Sequence, residues 1–301
     1  MLSRICWVAM LLAVGVVSAA RADPRPFELR DGQVVVMVTI KGHELPALLD
    51  TGATKSLIEV GLAQELGIRT QRTNGGTIGA SGGRVAFGFT QNRVAIDFGA
   101  GPMARYIGTY ETSNTFAAEG VRLLIGMDLL YAMVVSLDFQ EMTVEIQRSS
   151  AFAAPDGEPV ILTLGGWLRP TLPVNLAGAR ADLLIDTAAS GSLHLDSSFV
   201  ASTPALKTLP VTQISIAGID GVRDRDAILV PQVTFGGHVF ENVRASSGPF
   251  GPLIDVADMH GVVGVDLLKR FNLVIDFGRH RLWMTPNANS DAPRRSNDVG
   301  R

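Results

Sequence analysis

The chain has 301 residues, 47% of them hydrophobic and 18% charged, with a formal net charge of −3. That balance excludes a disordered chain, and the absence of any basic run argues against a nucleic-acid partner. Thirty-two glycines with only 6% aromatic residues favour a turn-rich, mainly β fold over a helical bundle.

The first predicted element is a processing segment. Met1–Arg4 carries one positive charge, Ile5–Val17 is apolar, and Ala20 and Ala22 present small side chains before a cut. This is the pattern of a signal peptide over residues 1–22, cleaved between Ala22 and Asp23. The apolar run is shorter than the roughly 20 residues needed to span a bilayer. The expectation is an exported chain, periplasmic or extracellular, with no membrane attachment after cleavage. The single cysteine, Cys6, lies inside this segment, so the mature chain has no disulfide, thiol nucleophile or thiolate metal site.

Beyond it the chain reads mostly as strand. "QVVVMVTIKG" from Gln33 is β-branched and stops at a glycine turn. "ALLDTGATKSLI" (Ala47–Ile58) sets one acid, Asp50, at the end of an apolar run. Ile58–Ile68 has apolar residues at helical spacing and Gly67 as its stop, which predicts a helix. "RVAFGFTQNRVAIDFG" (Arg84–Gly99) has two apolar stretches split by Thr90–Asn92, read as a hairpin. "MVVSLDF" and "TVEIQ" flank Gln140–Glu141 and predict another. A doubly wound α/β fold would need long helices alternating with strands, and these are missing.

The chain then repeats itself. "LLDTGATKSL" (Leu48–Leu57) aligns without gaps on "LIDTAASGSL" (Leu184–Leu193), identical at six of ten positions and offset by 136 residues. "IGMDLL" (Ile125–Leu130) aligns on "VGVDLL" (Val263–Leu268), and "SLDFQEMTVEI" (Ser136–Ile146) on "VIDFGRHRLWM" (Val274–Met284), both offset by 138. Blocks in one order at nearly one offset imply a duplication. The predicted organisation is a first lobe over 23–148, a linker over 149–159, a second lobe over 160–286 and a disordered tail over 287–301.

Duplication gives Asp50 an equivalent, Asp186. If the copies pack about a pseudo-twofold axis, the two carboxyls meet there. Two carboxylates within hydrogen-bond reach cannot both ionise readily, so they share a proton, one serving as base and the other as acid. Thr51 and Thr187 supply hydroxyls able to bond across the interface, and Gly52 lets a backbone N–H approach the carboxylate.

"DTGA" after an apolar strand, an "IG" pair about 75 residues later and an "LDF" strand together resemble the retropepsin-like aspartyl proteases. The resemblance covers both copies. It implies two retropepsin-like β-barrel lobes related by internal duplication, each with one or two short helices, in a pepsin-type bilobal arrangement. It further implies Asp50 and Asp186 as catalytic dyad, and Ile125–Gly126 and Val263–Gly264 as supports of the two Asp loops. "GGTIGASGG" (Gly75–Gly83) resembles the family's flap, with Gly76, Thr77, Ile78, Gly79, Ala80 and Ser81 facing substrate. "SIAGIDG" (Ser215–Gly221) resembles a weaker second flap. An extended peptide or unfolded protein is the implied substrate, bound by a monomer without cofactor or metal. The pattern departs at Ala188, where the family places glycine. That departure keeps open a binding module that grips peptide without cutting it, and a homodimer in which each first copy supplies its intact motif.

Other readings are weaker. "GASGG" fits a nucleophile elbow with Ser81 as nucleophile, but that motif needs a helix after it and strands are predicted there. His43, His194, His238, His260 and His280 lack paired ligand spacing and read as surface or turn residues. Asp128 and Asp266 are expected to start helices, and Asp138 and Asp276, on "DF" strands before a turn, to be structural.

Overall fold

A computed structural model of the protein describes residues 23–78, 84–111, 120–165, 168–218, 221–250, 259–288 and 294–295. The duplication is visible in its sheets. At the base, the strands Met133–Asp138 and Phe271–Asp276 come from equivalent places in the two copies and pair antiparallel. Ser136 sits opposite Val274, its own equivalent, so the pseudo-twofold axis passes between these residues. Thr143–Arg148 then flanks the first strand and Arg281–Pro286 the second. Arg25–Arg30 and Val160–Ile161 close the outer edges. The result is a six-stranded antiparallel floor shared by both lobes, and the hairpin expected at Gln140–Glu141 is part of it.

Each lobe rises from this floor as a ring of strands. In the second lobe, Pro170–Leu176 pairs with Ala179–Ile185 on one side and with the end of the long strand Gly221–Phe235 on the other, which closes a barrel. The first lobe uses the same connections, Gln33–Ile40 pairing with His43–Leu49 and with Val94–Asp97. Here the hairpin expected across Thr90–Asn92 is absent. Arg84–Thr90 and Val94–Asp97 do not pair with each other; they are two pieces of the course that in the second lobe is one strand. The break has a local cause. The Thr90 hydroxyl donates to the Asn92 carbonyl at 2.8 Å and accepts the Ile107 N–H at 3.1 Å, replacing a ladder bond by a side-chain bridge.

The core lies inside these rings and runs without interruption from one lobe to the other, from Val34, Val36 and Ile40 to Leu183, Ile185 and Phe271. Val35, Leu48 and Leu124 form a smaller cluster on the opposite sheet face, which Leu184 and Val262 repeat in the second lobe. The central strands are thus apolar on both faces, which explains their nearly continuous hydrophobic sequence.

Two expectations need correction. The helix expected over 58–68 spans only Val60–Glu65, because Leu57–Glu59 is drawn into the sheet between Gly108–Glu111 and Leu123–Ile125. Gly67 still ends the turn, at φ +62°. Among the described residues the second lobe carries the short helices Ser197–Ser202, Pro204–Lys207 and Val265–Leu268, in keeping with a mainly β fold with few short helices. The tail is anchored where it is described: Asn287 N–H donates to the Arg270 carbonyl at 2.9 Å, and Arg294–Arg295 pairs with His238–Val239.

Candidate active site

The two Asp loops are built alike. His43–Leu49 runs parallel to Leu123–Ile125, and Ala179–Ile185 runs parallel to Gly261–Val263. Just past these ladders, Asp50 N–H donates to the Ile125 carbonyl at 2.9 Å and Asp186 N–H to the Val263 carbonyl at 3.1 Å. Gly126 and Gly264 follow, where a Cβ would lie 2.7 Å from the Lys55 carbonyl oxygen and 2.5 Å from that of Gly191. Only glycine lets the two backbones pass this closely. Met127 N–H then donates to the Ala53 carbonyl at 2.9 Å, and Val265 N–H to that of Ala189 at 2.8 Å. All four predicted supports, Ile125, Gly126, Val263 and Gly264, hold the Asp loops through main-chain contacts.

Thr51 and Thr187 are fully buried and lock the lobes together. The Thr51 hydroxyl donates to the Ile185 carbonyl at 2.6 Å, and the Thr187 hydroxyl donates to the Leu49 carbonyl. Each hydroxyl also accepts the other threonine's N–H, at 3.3 Å and 3.2 Å. Equivalent groups thus bond reciprocally around the axis that passes through the floor sheet at Ser136 and Val274.

The carboxyls stand on the far side of these threonines. Asp50 Oδ1 accepts the N–H groups of Gly52 at 2.9 Å and Ala53 at 2.7 Å. Asp186 Oδ1 accepts the Ala188 N–H at 2.8 Å, the same contact that the Gly52 N–H makes in the first loop. Gly52 packs so tightly on its counterpart carboxyl that a Cβ there would meet Asp186 Oδ2 at 2.4 Å. Burial raises Asp50 well above the ordinary carboxylate range; the charge of Asp186 adds to this, and the Ala53 and Gly52 amides oppose it. Burial raises Asp186 too, against the Ala188 amide and the charge of Arg169. Two buried acids pushed upward together retain a proton where isolated aspartates would have lost it.

The twofold fails at two places beside the carboxyls. Ala188 stands where Gly52 does, and its backbone is not left-handed, so its cost is space and not strain. Gln33 and Arg169 are the second difference. The Gln33 amide donates across the interface to the Ala188 carbonyl at 2.5 Å, while Arg169 acts electrostatically on both aspartates. Neither stood out in the sequence as a functional residue. The signal was available, since the 136-residue offset that maps Asp50 on Asp186 also maps Gln33 on Arg169.

The remaining sites fall as follows. Gly76, Thr77 and Ile78 lie on the edge strand Thr70–Ile78, which pairs with Arg84–Thr90; Gly79, Ala80 and Ser81 lie outside the described residues. The second hairpin pairs Val211–Gly218 with Gly221–Phe235. The segment after Ser81 is a strand where a nucleophile elbow needs a helix. Asp128 and Asp266 sit in the first turns of short helices, as expected. The Asp138 carboxylate accepts two turn amides, and Asp276 is buried against Ser149 and Arg279. His194 and His238 differ from the surface reading. His238 is buried, and His194 bridges the Ser246 hydroxyl at 2.7 Å and the Ser190 carbonyl at 2.6 Å, with burial lowering its pKa.

Comparison with known proteins agrees with this geometry. Residues 36–131 match the family model described as gag-polyprotein putative aspartyl protease. Residues 172–267 match a second model, described as aspartyl protease. Each match contains one Asp loop with its supporting Gly block. No curated protein matches the chain.

Proposed function

Because the chain belongs to the retropepsin-like aspartyl proteases, carrying two copies in tandem, we propose that it is an aspartic endopeptidase whose dyad is Asp50 and Asp186. The observation that carries this reading is the reciprocal threonine lock, which fixes equivalent Asp loops on one axis and leaves both carboxyls at the interface. In the working state the pair holds one proton. The ionised carboxylate takes a proton from a water, whose oxygen attacks the peptide carbonyl carbon, while the protonated partner donates to the carbonyl oxygen. Collapse of the tetrahedral intermediate, with a proton passed to the departing nitrogen, frees the amine and restores the pair. An extended peptide lies along the flap strand by adding its backbone to the sheet edge. One chain supplies both acids, so the enzyme works as a monomer, and the segment 1–22 directs it out of the cell.

The test is turnover of an unfolded protein substrate by purified enzyme in acid. Asp50→Asn and Asp186→Asn should each lower kcat by about 10³-fold or more while the fold persists. Full activity in Asp186→Asn refutes the mechanism. A second reading, a peptide-binding module, is favoured by one observation: a Cβ at Gly52 would meet the opposite carboxyl, and Ala188 carries a methyl at the equivalent position of the other loop. Peptide binding without any cleavage, and no preference for a statine-type transition-state mimic over plain peptide, would select it.

A further inference from the structure

Gln33 and Arg169 occupy equivalent places. Val35 faces Leu48 in the first lobe as Thr171 faces Leu184 in the second, so both residues stand two positions before the same rung. The first lobe puts a neutral amide there. The second puts a guanidinium whose Nε is buried with no hydrogen-bond partner among the described residues. Burying a cation in this state is costly unless an opposite charge compensates it. The charges it feels are Asp186 and Asp50, and no other cation among the described residues acts on either carboxyl. Three other ionisable groups near the loops are engaged elsewhere. Asp128 accepts from Ser56, Asp266 accepts from Lys269, and His194 sits between Ser246 and the Ser190 carbonyl.

We propose that Arg169 is the positioning charge of the dyad: seated on one side of the pair only, it sets the pH range over which Asp50 and Asp186 share a single proton. This rests on the reading of those two residues as a working pair. With one proton on the dyad, the two acids carry one negative charge and Arg169 cancels it. A nearby cation favours the ionised form of each carboxyl, so it moves both proton losses to lower pH. Arg169 thereby opposes the upward push of burial and keeps one member ionised, as a base must be, in acid solution.

The experiment compares wild type with Arg169→Gln, which copies the first lobe's residue, Arg169→Met, which keeps the bulk of the stem, and Arg169→Lys, which keeps the charge. Two readouts are taken: the pH profile of kcat/KM on a peptide substrate, and the titration of aspartate carboxyls by NMR of protein labelled at Asp Cγ. Both limbs of the profile, and both dyad titrations, should move up by about one pH unit in Arg169→Gln and Arg169→Met. Arg169→Lys should return them to the wild-type positions. Dyad titrations unmoved in the two neutral variants overturn the proposal. Should the wild-type enzyme cut nothing, the protease reading fails, while the carboxyl titration still decides the role of Arg169.

Discussion

The two Asp loops are one design executed twice, and the places where they differ show which parts the site cannot relax. Both keep the aspartate, the threonine lock and the glycine of the supporting block. They differ in the residue after the threonine, in the cross-lobe polar group, and in how the supporting glycine's N–H is met. The retained parts are main-chain geometry and reciprocal bonds across the axis. The altered parts are a small side chain beside one carboxyl, a polar group at the lobe interface and the acceptor of one supporting amide. Symmetry is therefore enforced where the lobes hold each other and relaxed in the groups that surround the pair.

Among changes outside the two aspartates, the largest effect should come from making the first loop copy the second. Gly52→Ala adds a methyl 2.4 Å from Asp186 Oδ2. The carboxyls must separate, and kcat/KM should fall about 100-fold, the order of loss that an ångström of misplacement brings. The reverse change, Ala188→Gly, should raise kcat/KM several-fold. Unchanged kinetics in Gly52→Ala would show that the dyad does not need this contact.

The lock itself should dominate stability. Thr51→Val and Thr187→Val each remove a buried hydroxyl that donates to a carbonyl and accepts an amide from the other lobe. Each leaves main-chain groups unpaired and should cost about 1–3 kcal/mol in denaturant unfolding. The double variant should lose less than the sum, since each change already breaks bonds to the other threonine.

The dyad should weaken the fold as pH rises. Both aspartates have folded-state pKa values raised above those of the unfolded chain. Such a group binds more protons in the folded state, so stability is greatest below its unfolded value, near 4, and declines as pH climbs through the raised folded value. Asp50→Asn should therefore raise Tm at neutral pH and leave it nearly unchanged at pH 3. An equal Tm difference at both pH values would contradict the raised pKa.

Much of this comparison was legible before any coordinates. The repeat, the two aspartates, the threonines and the Gly blocks depend on local sequence and on one offset, and the duplication displays them twice. Other features depend on which strand lies beside which. The break at Thr90 looks like a hairpin turn until Ile107 is known to face it. Ile58 and Glu59 read as helix because the sheet that claims them is built from residues some 50 positions away. Arg169 reads as an ordinary residue before a strand; only the fold brings it within electrostatic reach of both aspartates.

The smallest effect discriminates how each supporting glycine is held. Gly126 N–H donates to the Ser56 hydroxyl at 3.0 Å, and that hydroxyl donates to the Asp128 carboxylate at 2.7 Å. At the matching place Gly264 N–H donates at 2.9 Å to the backbone carbonyl of Ser192, Ser56's equivalent. Ser56→Ala should thus strand a buried amide and cost about 1–2 kcal/mol. Ser192→Ala leaves the carbonyl in place and should stay within about 0.5 kcal/mol. Equal losses in the two variants would mean that the second lobe leans on its serine hydroxyl as the first does, and that the loops differ less than their hydrogen bonds indicate.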